Sequence, residues 1–273
     1  MDQSFLVLLS VGLFSFGLII GSFLNVLVLR YRTGRSLNGR SGCFSCNAPL
    51  SALELVPVVS WLFLGGRCRR CRSSISMQYP LVEVATGLLF LASLLLFDLS
   101  SFSWFFLSGL SAYFVAVSAL VALVVYDIRH QIIPDSFALT FALAALFFNL
   151  FRGEAATPYL LAGVVLSLPF VAIWYFSEGK YMGLGDGKLA FGIGVLLGSL
   201  GGLTAIILGF WLGAFFGLLL LLLQRVGTRL SLGGVPLTMK SEVPFAPFLV
   251  AGTFYVLFTH FSLFDQNLVA SLF

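Results

Sequence analysis

"YMGLGDGKLAFGIG", Tyr181 to Gly194, sets one acid, Asp186, between two glycines where a polar loop passes into a long apolar run. A carboxylate at such a boundary has three readings: part of a glycine loop that cradles phosphate, an ion-coupling acid of a transporter, or half of a catalytic pair. Phosphate fits poorly. "GLGDGK" lacks the G-x-x-x-x-G-K-[ST] spacing, Lys188 is followed by Leu189, and an acid in the loop repels phosphate. Gly183, Gly185 and Gly187 free the backbone around Asp186 for close approach, which gives a peptide strand room to lie alongside.

The apolar run that follows is one of many. Of the 273 residues 59% are hydrophobic and 10% charged, against about 25% charged in a soluble domain. This predicts an all-α polytopic membrane protein. About 20 mostly apolar residues cross the hydrocarbon core. On that measure there are eight candidate spans: Phe5 to Leu29, Leu81 to Phe97, Phe102 to Tyr126, Phe137 to Phe151, Tyr159 to Phe176, Leu189 to Leu200, Leu203 to Leu223 and Phe245 to Phe261. The glycine-rich Leu189 to Leu200 segment is short, and reads either as a span of its own or as continuous with the next. The first apolar run has no basic stretch before it and no small-residue cleavage site, so it reads as a retained span rather than a signal peptide.

With the N-terminus outside, Arg152 alone of the 15 basic residues falls on the outer face, leaving 14 on the cytoplasmic side, including the stretch Arg225 to Lys240. This agrees with the positive-inside rule. The net charge of +4 thus reports orientation and contact with the anionic lipid bilayer, and no nucleic-acid partner is expected.

The expected organisation is a first transmembrane helix over residues 1–29, a cytosolic insert over 30–80 and a transmembrane bundle over 81–273. The insert, "YRTGRSLNGRSGCFSCNAPLSALELVPVVSWLFLGGRCRRCRSSISMQYP", holds seven Arg and all four Cys, as Cys43-x-x-Cys46 and Cys68-x-x-Cys71 with 21 residues between the pairs. In a reducing compartment this spacing predicts a zinc-ribbon-like thiolate site, with disulfides as the alternative. Four Cys leave no open position for water, so the metal, Zn, would be structural. It would staple a segment too small to fold on its own core.

Three carboxylates stand at cytoplasmic span ends: Asp127 and Asp135 in "VVYDIRHQIIPDSF", and Asp186. Asp135 follows Pro134 and precedes a helix, the place of an N-cap. Asp127 has Arg129 nearby as a salt-bridge partner. Two carboxylates brought together share a proton, so one can activate water while the other polarises a peptide carbonyl. Rival chemistries lack their motifs: no G-x-S-x-G, no H-E-x-x-H around His130 or His260, and no spare Cys. His130 reads as an interface residue. Glycines at 194, 198, 202, 209, 213 and 217 have small-xxx-small spacing, read as bundle packing, with a substrate-helix groove as the alternative.

At these residues the chain resembles the type IV prepilin peptidase and N-methyltransferase family. "GSFLNVLVLR" (Gly21 to Arg30), the paired Cys-x-x-Cys with "PVVSWLFLGGRCRRCRSSISMQYPLVEVATG", "DIRHQIIPD" and "GLGDGK" look like its motifs in order, over most of the chain. The resemblance implies that Asp127 and Asp186 are the catalytic pair of a GxGD aspartyl membrane protease, with Asp135, Gly183, Gly185 and Lys188 supporting. It implies type IV pilin or pseudopilin precursors as substrates, cut at the cytoplasmic face of the bacterial inner membrane. It also implies N-methylation of the new terminus with S-adenosylmethionine as methyl donor, in a region of the insert and first spans where Asn25, Glu54 and Glu83 are the candidate residues. Asn25 and Glu83 read equally as helix-to-helix hydrogen bonds. "VVYDIRH" also resembles presenilin-like GxGD proteases, which lack the four-Cys insert; the transporter reading lacks an internal repeat.

Overall fold

The computed structural model describes residues 3–34, 36–97, 103–225, 231–232, 235–236 and 244–264. Most of the basic stretch predicted for the cytoplasmic face near the C-terminus lies outside them. The described residues form eight α-helices: α1 (Gln3–Arg30), α2 (Val59–Phe63), α3 (Gln78–Leu91), α4 (Trp104–His130), α5 (Asp135–Phe151), α6 (Ala156–Phe176), α7 (Leu184–Arg225) and α8 (Ala246–Thr259). A two-residue hairpin, β1 (Ser231–Leu232) against β2 (Val235–Pro236), stands between α7 and α8.

Five helices are long and apolar enough to cross a membrane: α1, α3 with its 3-10 extension to Leu95, α4, α6 and α7. The apolar helices α5 and α8, 17 and 14 residues long, rise only about 26 and 21 Å at about 1.5 Å per residue, short of the roughly 30 Å core. Helix α5 begins at Asp135 because Pro134 holds an extended ψ of 135° and has no N–H to give to a preceding turn.

The chain separates into two compact units, Met1–Phe102 with Val117–Val125, and Ser103–Ala116 with Tyr126–Phe273. In the N-terminal unit α1 packs on α3 through glycine. A methyl group on Gly17 would lie 2.7 Å from the Gly87 Cα, and one on Gly21 2.7 Å from the Glu83 Cα. The two backbones are therefore in direct contact, as small residues allow in apolar helices. Phe16 and Phe90 pack their rings 5.6 Å apart in the same layer.

In the C-terminal unit α7 is not one rod. Gly198 has φ 74° and ψ −170°, a non-helical conformation that glycine adopts freely. A Cβ on Gly202 would stand 3.3 Å from the Gly194 Cα. Residues eight apart in a straight helix are separated by about 12 Å, so the chain reverses at Gly198 into two antiparallel halves, 184–197 and 199–225. The separate Leu189 to Leu200 segment is thus recovered, but inside a helical hairpin. Buried Asn149 of α5 closes the turn by donating from Nδ2 to the carbonyls of Val195 (2.7 Å) and Leu196 (3.2 Å), which lack helical partners there.

Neighbouring contacts set the order of the bundle. Gly163 of α6 packs against Phe191 and Val195, and Gly187 against Phe170 and Val171, so α6 and the first half are antiparallel. Gly209 meets Leu249, and Gly213 meets Phe245 and Phe248, so the second half and α8 are antiparallel too. Residues 184–187 and the start of α8 therefore lie at one end of this unit, and the Gly198 turn and the end of α8 at the other. Most of the predicted small-residue stripe is packing surface, Gly198 is a turn, and Gly217 faces open space.

Candidate active site

The end of the C-terminal unit that holds residue 184 collects the predicted acids. Asp127, in the last turn of α4, is buried at 5% exposure. Its Oδ2 accepts a hydrogen bond of 3.2 Å from the Ala246 N–H, the first residue of α8. Helix N-termini have free donors and a positive dipole end, which suits a carboxylate. The bond that reaches Asp127 thus comes from a helix start and not from Arg129. Gln131 ends α4 in the left-handed region at φ 53°, its N–H bonded to the Asp127 carbonyl. Tyr126 stacks at 4.4 Å on the His130 ring and meets Phe137 edge-on at 6.1 Å, so His130 is part of an aromatic wall.

Asp186 lies in the first turn of α7, within electrostatic range of Asp127. Among the described residues no donor is bonded to its carboxylate, which is half-buried. The glycines around it have separate uses. A methyl on Gly185 would lie 2.7 Å from the Ile133 Cβ, so this glycine lets the α4–α5 connection press against the start of α7. Gly183 alone has open space around it, with a methyl there 3.9 Å from the nearest atom. Of the two, Gly183 faces open space and Gly185 a packed neighbour.

Asp135 is the first residue of α5, and Pro134 holds the cap position. Its carboxylate pairs with the Lys188 ammonium, joining α5 to α7 two residues beyond Asp186.

The N-terminal unit holds the four thiols. Their sulfurs all lie within 4.8 Å of one another. Four sulfurs at about 2.3 Å from one ion sit roughly 3.8 Å apart in a tetrahedron; Cys43 and Cys71 Sγ are 3.7 Å apart. The two pairs fold alike. The Cys43 N–H bonds to the Ala48 carbonyl and the Asn47 N–H to the Cys43 carbonyl, while Cys68 with Ser73 and Arg72 with Cys68 repeat the pattern. Asn47 and Arg72 are left-handed at φ 51° and 59°, and bridges Gly42 to Pro49 and Arg67 to Ser74 flank the turns. The donor set fits a metal ion.

The thiols are electronically unequal. The Cys46 N–H, with the Ser73 hydroxyl, pulls the Cys43 thiol down to about 5. The Ala48 N–H pulls Cys46 the same way, but burial and the other three sulfurs outweigh it and push that thiol up to about 11. The Ser73 hydroxyl and N–H lower Cys71. Such a mixed set loses its last proton only when a cation compensates the crowded charge.

Asn25 and Glu83 are buried in the same unit, and their polar atoms are committed. Asn25 donates to the carbonyls of Gly21 and Tyr79 at 3.3 Å each and accepts from Gln78 Nε2 at 3.1 Å. Glu83 accepts 2.7 Å from the Val58 N–H, and Val58 is held at φ 60° and ψ −51°, a strained γ-turn geometry for a β-branched residue. Half-buried Glu54 accepts from the N–H and hydroxyl of Ser51 at 2.8 and 2.7 Å, which holds its carboxyl below the usual range. None of the three hydrogen-bonds to another.

Two partners escaped the sequence reading: the Ala246 N–H, whose only signal is Pro247 marking a helix start, and Asn149, a polar residue inside the apolar "LFFNLF".

This is a polytopic helical membrane protein with paired acids at one end of a bundle and a four-thiol insert. Residues 15–97 match the Bacterial Peptidase A24 N-terminal domain and residues 114–218 the Type IV leader peptidase family. The prepilin leader peptidase/N-methyltransferase of Aeromonas salmonicida (strain A449) is 32% identical over 271 residues, covering 88% of this chain and 87% of that protein. Proteins of the same name from Myxococcus xanthus (strain DK1622) and Neisseria gonorrhoeae are 36% and 30% identical, covering 81% and 77% of this chain and 66% and 80% of their own lengths. No solved structure matches the chain. The chain belongs to the type IV leader peptidase family.

Proposed function

We propose that the protein removes the leader of type IV pilin or pseudopilin precursors with Asp127 and Asp186 and then methylates the new N-terminus. The observation that carries the peptidase half is the gathering of both carboxylates at one end of the C-terminal unit, only one of them held by a donor. One carboxylate takes a proton from water as it attacks the scissile carbonyl. The other, protonated, donates to the carbonyl oxygen, and the tetrahedral intermediate then collapses as the proton passes to the leaving amine. A precursor whose apolar helix stays in the bilayer presents its leader junction at the depth of these two side chains. Family membership sets the activity with leader peptidases rather than presenilin-like proteases or transporters.

The same reading places all eight apolar segments in the membrane, α7 crossing twice through its Gly198 turn, as a retained first helix, the insert of residues 30–80 and a bundle over 81–273. The basic residues support an outside N-terminus, with the insert and both acids at the cytoplasmic face of the bacterial inner membrane. The metal is zinc, held by Cys43, Cys46, Cys68 and Cys71 in a closed structural site. S-adenosylmethionine would supply an electrophilic methyl group; Asn25, Glu54 and Glu83 remain the residues to test for its binding. Their internal hydrogen bonds support no step of the transfer.

The deciding experiment incubates purified protein with a pilin-like precursor and follows leader release and N-methylation separately. Asp127→Asn and Asp186→Asn should abolish release and leave methylation of a pre-cut peptide intact. Normal release by both variants would overturn the assignment.

A further inference from the structure

At the end of the C-terminal unit away from Asp127 and Asp186 lies a cavity of about 620 Å³, where the last turn of α5, the start of α6, the Gly198 reversal and the end of α8 meet. Its lining is divided. Buried Leu196, Val256 and Leu257 make an apolar interior, while Arg152, Tyr159 and His260 stand around the polar part. The volume is that of a small-molecule site. We propose that this cavity holds an anionic phospholipid from the leaflet at that end, its phosphate on Arg152 and an acyl chain against Leu196, Val256 and Leu257.

Three observations converge on that occupant. The Arg152 guanidinium lies 5.3 Å over the Phe148 ring, which restrains the fork in place with its remaining N–H groups available to an oxyanion. No ion pair joins Arg152 to neighbouring Glu154, unlike Lys180 with Glu178 or Lys188 with Asp135. Arg152 is also the one basic residue that the charge pattern assigns to the outer face, where cations are otherwise excluded. A cation beside an apolar cavity between apolar helices fits a lipid better than a free anion, which has no use for the leucine-lined interior. Because Leu196 sits in the half-helix whose first turn holds Asp186, an acyl chain there would brace the Gly198 turn.

The test is native mass spectrometry of the purified full chain with phosphatidylglycerol or phosphatidylcholine of identical acyl chains, and with inorganic phosphate as competitor. Wild type should retain phosphatidylglycerol at least tenfold more tightly, and millimolar phosphate should not displace it. Arg152→Gln, a change at an exposed side chain, should remove that preference. Leu200→Trp, which fills the mouth and leaves every charge in place, should weaken both lipids. Leader release by each variant checks that it is folded. Equal retention of the two lipids by wild type, an unchanged preference in Arg152→Gln, or displacement by phosphate alone would overturn the proposal.

Discussion

The two units use their polar groups in opposite ways. Among the described residues of the N-terminal unit the buried polar side chains are hydrogen-bonded: Asn25 ties α1 to the start of α3 and Glu83 holds the strained Val58 turn, while four sulfurs face one another across two matching turns. In the C-terminal unit Asp127 keeps a single donor and Asp186 none among the described residues. Satisfied polar networks rigidify, whereas an acid left without partners at membrane depth is costly and marks chemistry. The contrast teaches where each unit can tolerate change, and it can be broken by experiment.

The largest effect should come from the acid without a donor. Asp186→Asn should lower leader release by at least about 100-fold, the lower end of what a positioned proton-transfer group contributes. Detergent-solubilised variant should keep the thermal midpoint of wild type, because no hydrogen bond to this carboxylate is lost. A lowered midpoint would mean that Asp186 is structural after all.

Loss of metal should come next, and should fall on the other unit. Cys68 is buried, and Cys68→Ser should take bound zinc from one per chain to none. Structural zinc in small domains is worth on the order of 10 kcal/mol to their folding, so the insert should become sensitive to limited proteolysis. Methylation should disappear while leader release falls far less than in Asp186→Asn. Equal loss of both activities would merge the two units into one site. Elemental analysis with the two assays decides it.

Packing gives a smaller, graded test. Gly194→Ala would drive a methyl to within 2.7 Å of the Ala162 carbonyl, and Gly217→Ala would meet nothing within 4 Å. The first should cost about 1–3 kcal/mol through overpacking, and the second should stabilise by up to about 1 kcal/mol through helix propensity. Chemical denaturation of both in the same detergent gives the pair of numbers.

These cases also show what the chain's residues disclose and what they conceal. The four-Cys spacing and the two acids at span ends were legible because each is a chemical oddity, a thiol pair or a charge against an apolar background. The reversal at Gly198 was half legible: the short glycine-rich segment from Leu189 to Leu200 reads either as its own span or as part of the next, and nothing local says which glycine bends. The Ala246 N–H on Asp127 was hidden, since a backbone donor 119 positions away leaves no mark in composition. Glycines 183, 185 and 187 look equivalent in sequence and differ only through neighbours, Ile133 at one and open space at another.

The smallest effect belongs to the acid that sequence order makes most prominent after the pair. Asp135 and Lys188 form their ion pair in the open, with side chains 73% and 37% exposed. Exposed pairs are worth about 0–1 kcal/mol, because water screens the charges and two flexible side chains must be held still. Asp135→Asn, Lys188→Met and the double variant should therefore each stay within about fivefold of wild type in leader release, with a coupling energy under about 1 kcal/mol. A loss in Asp135→Asn approaching that of Asp186→Asn, unrelieved in the double variant, would mean that Asp135 acts on the substrate directly. A loss shared equally by the two single variants would instead assign it to the pair's hold on the start of α7, two residues from the carboxylate it positions.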